Sequence, residues 1–421
     1  MSSSITLDDR DDVAGSAADA GGRGGRPLRL GDPASVPAVT GLWTAHDDVA
    51  RLRDEWGDAA PVELAPGARA WLVTEYRTIV EMARGRFPLS AAAGTWSGHT
   101  GRPGAAASPL LQPLVASRRP IVGQADGTLH ERLRTPIDEV FGSVDESEAA
   151  RITRATCEDL AGRFAATGVA DLVREYVEPI PHLTFGVVMG FDPATARQVF
   201  DAAARAGAGD ASAVHEVSFL LTGQKTGPAG RLARHAAYES TAEAALGLLS
   251  LVATASQGLR AWLGQTLHLS LTDARFASRL TGGQLGIDEA LDEVLWAASP
   301  VSALAPRIAA EDFLLGDKLV QQGDAVLLGV GALGSDPGLR AQGDTSGSRA
   351  HLAFGAGAHA CPAPRLARLI VRTAVETLHH RLTPTLALRP EELRWTPDLR
   401  FRLLEALPVV FHPENAPEGT S

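Results

Sequence analysis

Along most of the chain apolar residues recur every three or four positions, the spacing that gathers them on one side of a helix. The pattern predicts helices at VARLRDEW, TIVEMARG, LHERLRTPIDEVF (residues 129 to 141), RITRATCEDLAGRF and LARLIVRTAVETL. The longest, AEAALGLLSLVATASQGLRAWLGQTL at residues 242 to 267, is apolar nearly all round and predicts a buried helix. Two regions break the helical period. VELAPGARAWLVTEY predicts two short strands joined by a turn at Pro66 and Gly67, and SALAPRIAAEDFLLGDKLVQQGDAVLLGVGALGSDP alternates strand-like runs with turn residues. The fold class that follows is mainly α with small β-sheets.

Composition narrows this picture. With 421 residues, 45% of them hydrophobic, the chain can bury a large core, and a net charge of -11 argues against a nucleic-acid binder. Two cysteines, Cys157 and Cys361, make no disulfide framework and suit a reducing cytoplasm; Cys157 reads as a helix-core residue. Residues 1 to 28 are rich in Gly, Ala, Ser and Asp and read as a disordered tail, with no signal-peptide core and no membrane anchor, followed by one domain from 29 to 421. Residues 88 to 125 read as a long loop of small residues, a length usually tied to function.

Candidate chemistry concentrates at residues 354 to 364, FGAGAHACPAP, directly before the last long helix. A cysteine there meets the positive end of a helix dipole, which favours the metal-ligating thiolate; taken alone, it reads equally as a buried cysteine in a Gly-rich turn. Phe354, the two glycines Gly355 and Gly357, His359 two before Cys361, and the following Leu366, Ala367 and Arg368 together resemble the haem-binding loop of the cytochrome P450 superfamily.

That resemblance runs from about residue 45 to the end and is similar to the soluble bacterial class. It implies the P450 fold, with a long central helix over haem b, and Cys361 as the thiolate ligand of its iron. His130 and Arg134, four apart on one helical face, read alone as a solvated basic stripe; by resemblance they, Arg307 and His359 contact the haem propionates. Pro362 and Pro364 have no N–H, which leaves Ala363 to donate to the sulfur. The implied activity is an oxidoreductase of specialised metabolism using dioxygen, electrons from a ferredoxin and its reductase, and a small-molecule or peptide substrate. A haem-binding scaffold without turnover and a peroxide-driven enzyme are the alternatives. Arg365, Arg368 and Arg372, at helical spacing after the ligand, are either a ferredoxin-docking patch or a solvated stripe.

The sequence departs from the family pattern in three places. On the long helix Ser256 and Gln257, followed by Gly258, stand where the family carries an acid and a threonine, unless a shift of register brings in Thr254. Trp296 stands where an arginine should pair with Glu293, which marks an atypical branch and leaves Glu293 to find another partner, Arg349 or water. Between residues 190 and 240 the chain is short, which implies a reduced roof over the pocket. His379 and His380, adjacent and so about a hundred degrees apart, read as a solvated helix end rather than a metal site.

Overall fold

A computed structural model describes residues 27–32, 46–65, 67–92, 94, 96, 120–281, 286–336, 339 and 348–413. Residues 1 to 26, nearly all of the expected tail, and most of the loop at 88 to 125 lie outside the described residues. Leu28, placed in the tail by composition, bridges Lys318.

Helix α1 (His46–Trp56) leads into an antiparallel hairpin of β1 (Ala59–Ala65) and β2 (Ala68–Val73), and α2 (Tyr76–Ala83) follows, capped by the Glu75 carboxylate. Chain-distant strands complete the sheet. β2 pairs in parallel with β8 (Ala325–Leu328), which pairs with β5 (Arg307–Ala309), itself paired with β3 (Leu89–Ser90), giving the order β1-β2-β8-β5-β3. β8, and β2 and β5 apart from Arg69 and Arg307, read as apolar runs because they are covered on both faces. Between β5 and β8 lies a small hairpin of β6 (Phe313–Leu315) and β7 (Lys318–Val320).

The helices form the larger core. α3 (Gly127–Gly142) and α4 (Glu146–Phe164) precede the short strand β4 (Val169–Asp171) and a run of π and α turns from residue 172 to 189 around α5 (Pro179–Pro181). In the short stretch expected to reduce the roof stand α6 (Pro193–Gly207), α7 (Ser212–Gly223) and α8 (Gly227–Ala233). Then come α9 (Thr241–Thr272), α10 (Ala274–Thr281), α11 (Ile287–Ala297) and α12 (Pro364–Arg381). By length and composition alone α9 could cross a membrane; here it packs against α6, α7, α8, α10 and α12. Cys157 is fully buried on α4, as its helical spacing predicts. Burial pushes its thiol up to about 12 despite a hydrogen bond with Tyr176.

Two devices fix the helices around the Cys361 loop. The first is α3, which works on both sides. Arg132 reaches Glu243 at the start of α9 with two hydrogen bonds of 2.7 and 2.9 Å, while His130 and Arg134, two residues either way, project from the other side. The second is a buried ion pair between α11 and α12. Asp292, 3% exposed, is bonded by Arg368, and Arg349 approaches the same carboxylate at 3.6 Å. Arg368 also lies over the Trp262 ring of α9 at 5.5 Å, so one guanidinium joins three helices.

This corrects the expected partner of Glu293. It binds Arg279 of α10 at 2.8 and 3.0 Å, near the surface, rather than Arg349. The reason is helical phase: Asp292 and Trp296 are four apart and share the buried face, whereas Glu293 is turned about a hundred degrees away. Trp296 donates to the Ser348 carbonyl at 2.7 Å and packs beside Tyr76 and His351, tying α11 to the segment before the Cys361 loop.

Two outcomes follow. Arg368→Leu leaves the Asp292 carboxylate buried without its main partner and should lower the unfolding free energy by about 3–5 kcal/mol, read from urea midpoints. Arg279→Ala, at a more exposed pair, should cost less than about 1 kcal/mol; equal losses would contradict the division of roles. His351 is buried, and burial first, then Arg368 and Arg349, push it down to about 4. Its folded value lies below the unfolded one of about 6.5, so its contribution is fully present above 6.5 and is lost as pH falls towards 4. His351→Phe should flatten stability against pH across that window, and an unchanged slope would refute the assignment.

Candidate haem-binding site

The Cys361 loop is shaped by its glycines. Leu352–Phe354 form a single 3-10 turn, Gly355 reverses the chain at φ +70°, and the Cys361 amide donates back to the Phe354 carbonyl at 2.8 Å. Gly357 has φ +68°, and a Cβ there would lie 2.3 Å from the Ala83 carbonyl oxygen at the end of α2. No side chain fits, so the loop backbone can seat directly on α2. Pro364 then starts α12 at the position where a missing N–H is harmless.

Cys361 is half-buried at the mouth of this loop. Burial raises its thiol above the ordinary value, and the Ala363 amide hydrogen bond and the Arg134 charge oppose it only partly. Burial thus works against the thiolate, and a cation at the sulfur would favour it. The Ala363 amide does take the donor role expected of it.

Beside the loop the structure brings four predicted residues together. The His130 and His359 rings stand 4.2 Å apart between centroids, and Arg134 donates to the Ala358 carbonyl at 3.1 Å while pairing with Asp138 at 2.7 Å. Arg307, on β5, is 8% exposed and acts electrostatically on both histidines. Burial and these neighbouring cations hold both rings below their ordinary values, His359 at about 3. Asp126 is the nearby carboxylate, 3.7 Å from His359, with its oxygens also taken by Ser90 and the Ala91 amide.

The donors there are not satisfied. His130 Nε2 and Arg307 Nη1 are buried without a partner, and Arg307 makes no hydrogen bond or ion pair among the described residues. Converging unpaired donors call for an acceptor with several oxygens. A haem fits that demand: its two propionates would offer carboxylate oxygens to His130, Arg134, Arg307 and His359, and its iron would be the cation at Cys361.

The long helix passes the loop as expected. Phe354 meets Trp262 of α9 edge to face, with centroids 5.5 Å apart. Ser256 and Gln257 lie roughly 9 and 7.5 Å further up α9 at the helical rise, in a partly exposed stretch, 253 to 258, between buried Val252 and Leu259. Neither side chain makes a hydrogen bond among the described residues. Gly258 is backed by Phe401, to which a Cβ would lie at 3.6 Å.

Two sequence readings fail at the site's edge. Arg368 turns inward to Asp292, and Arg365 and Arg372 are paired with Glu146 at 2.8 Å and Asp288 at 3.2 Å, so the three arginines do not make one free basic patch. His379 is half-buried with Nε2 unpartnered, and only His380 is exposed at the end of α12. Sequence reasoning also missed Asp126, Asp292 and Trp262, whose roles depend on chain-distant neighbours. Asp292 had one legible signal, its four-residue spacing from Trp296.

No family model matches the chain. Cytochrome P450-SU2 of Streptomyces griseolus is 28% identical over 326 residues, 71% of this chain and 80% of that protein. The 2-hydroxy-5-methyl-1-naphthoate 7-hydroxylase of Streptomyces carzinostaticus is 25% identical over 378 residues, 83% of this chain and 90% of that one. The biotin biosynthesis cytochrome P450 of Bacillus subtilis (strain 168) is 39% identical over 129 residues, 30% of this chain and 32% of its own length. Among solved structures, the cytochrome P450 enzyme CxnD for C–S bond formation in chuangxinmycin biosynthesis has a TM-score of 0.74 at 23% identity, covering 90% of this chain and 99% of its own. The fold, the cysteine loop with its unpaired donors and these similarities agree: the chain belongs to the cytochrome P450 family, as its bacterial relatives do, and its cofactor is haem b.

Proposed function

We propose that this P450 monooxygenase oxidises an aromatic specialised metabolite, a small molecule or a peptide, and that it joins rings rather than inserting oxygen. We propose also that a ferredoxin and its reductase supply the electrons, and that residues 29 to 421 act as one haem-binding unit. Cys361 would hold the iron, His130, Arg134, Arg307 and His359 the propionates, and Phe354 and Gly357 the shape of the loop. When bound, the haem supplies reductive activation of dioxygen.

The observation that carries the ring-joining reading is the chemistry of α9 between residues 253 and 258, Ala-Thr-Ala-Ser-Gln-Gly, which has no carboxylic acid. Gln257 can donate a hydrogen bond or orient a water, and Ser256 can pass a hydrogen bond along, but neither is itself an acid at neutral pH. The proton has to come from water or from the substrate. A phenol or indole can give it, and oxidised rings held side by side then form a bond. Two hydrogens leave the substrate, and dioxygen takes two further protons and two electrons from the reductant to become two waters. Oxygen insertion uses the same reductant and is the reaction named for the naphthoate hydroxylase relative, so it is the competing outcome.

Aromatic peptides and polyphenols incubated with enzyme, reductants and dioxygen should give products two hydrogens lighter by mass spectrometry. Gln257→Glu, which restores an acid, should shift products towards gain of one oxygen. Oxygen gain as the sole outcome in the parent enzyme would overturn the ring-joining reading.

A further inference from the structure

A second unpaired guanidinium lies near the first. Residues 398 to 402, Asp-Leu-Arg-Phe-Arg, run beside the segment that follows α11: the Ser302 amide donates to the Arg400 carbonyl at 2.7 Å, the Arg402 amide donates to Pro300 at 2.9 Å, and Phe401 bridges Val301. Phe401 is the residue packed against Gly258, next to Gln257 on α9. The Arg400 guanidinium lies over the Phe401 ring, 4.9 Å from its centroid. Its Nε is buried without a partner, as is the hydroxyl of Ser302 opposite.

The surrounding charges do not neutralise it. The Asp398 carboxylate accepts from the Arg400 and Phe401 amides at 2.7 and 2.8 Å and forms no ion pair with the guanidinium. The other charge in range is Arg307, of the same sign. A buried arginine, Arg307, and a half-buried one with its Nε buried, Arg400, raise the need for an anion. The haem does not meet it for both. Arg307 acts on His130 and His359 in the propionate cradle, whereas Arg400 is absent from the charges that bear on either histidine. The contacts of Arg400 lead instead through Phe401 to Gly258 of α9.

We propose that Arg400 is an anchor for a carboxylate, or a similar anionic group, on the substrate, held beside Phe401 near α9 and apart from the propionate cradle. It rests on the reading of the Cys361 loop as the haem site and adds a specificity: the molecule oxidised is an acid. The anion stabilises a guanidinium otherwise buried alone, and the ion pair fixes which part of the molecule faces Gln257.

The test uses haem-loaded protein and imidazol-1-yl alkanoic acids of increasing chain length, each with its matching primary amide. The imidazole ligates the iron and gives a Soret shift whatever the tail does, so that shift checks the haem site on its own. At the chain length that reaches Arg400, the acid should bind about tenfold to a hundredfold tighter than the amide. Arg400→Gln should abolish the difference, and Arg400→Lys should keep part of it. No acid preference at any length, or a preference unchanged in Arg400→Gln, would overturn the proposal. So would loss of haem from Arg400→Gln with no acid preference in the parent, which would move Arg400 into the cradle. If no imidazole gives a Soret shift, it is the haem reading that has failed.

Discussion

A buried guanidinium without an anion sets the terms for the rest of this structure. Arg307 sits on a strand covered on both faces, where an unpaired charge is expensive, and no described carboxylate pairs with it. Around it the chain places more donors instead of acceptors: His130 with a buried nitrogen unused, His359 against it, and Arg134 alongside. A protein that gathers donors this way is built around something it does not itself supply. The propionates of haem b would supply it, and the iron would bring the positive charge that the Cys361 sulfur lacks in its desolvated setting.

Several connections hold that arrangement in place. α3 carries His130 and Arg134 on one side and grips the start of α9 through Arg132 on the other, so one helix positions both these donors and the start of α9. Arg368 joins α12, which begins just after the cysteine, to α11 and to Trp262 of α9. The segment before the cysteine loop and the helix after it are both tied to α11, because the Trp296 indole N–H donates to the Ser348 carbonyl and Arg368 donates to Asp292.

What could be read from the sequence was whatever depends on local period or on a short motif. Helices α3, α4, α9 and α12 follow from apolar spacing, α11 from the family resemblance, and the two small sheet regions from alternation and turn residues. The cysteine loop is legible because its glycines answer a backbone demand, seen at Gly357 against Ala83. What could not be read depends on partners distant in sequence. Arg368 looked like one of three surface arginines until α11 placed Asp292 against it, and Glu293 looked like the buried acid because a motif pointed there while helical phase pointed to its neighbour. His379 failed similarly, since its burial is set by packing rather than by its place at a helix end. Arg400 gave no local signal at all: its neighbours are Phe401, Ser302 and Arg307, drawn from three segments.

The most direct measurement is the ferrous carbon monoxide difference spectrum of the purified, haem-reconstituted protein beside that of Cys361→Ala. The account predicts a thiolate-type band in the parent and its loss in the variant, even where the variant retains haem through His130, Arg134, Arg307 and His359. A thiolate-type band of unchanged position and intensity in Cys361→Ala would contradict it, because Cys157, the only other cysteine, is fully buried on α4.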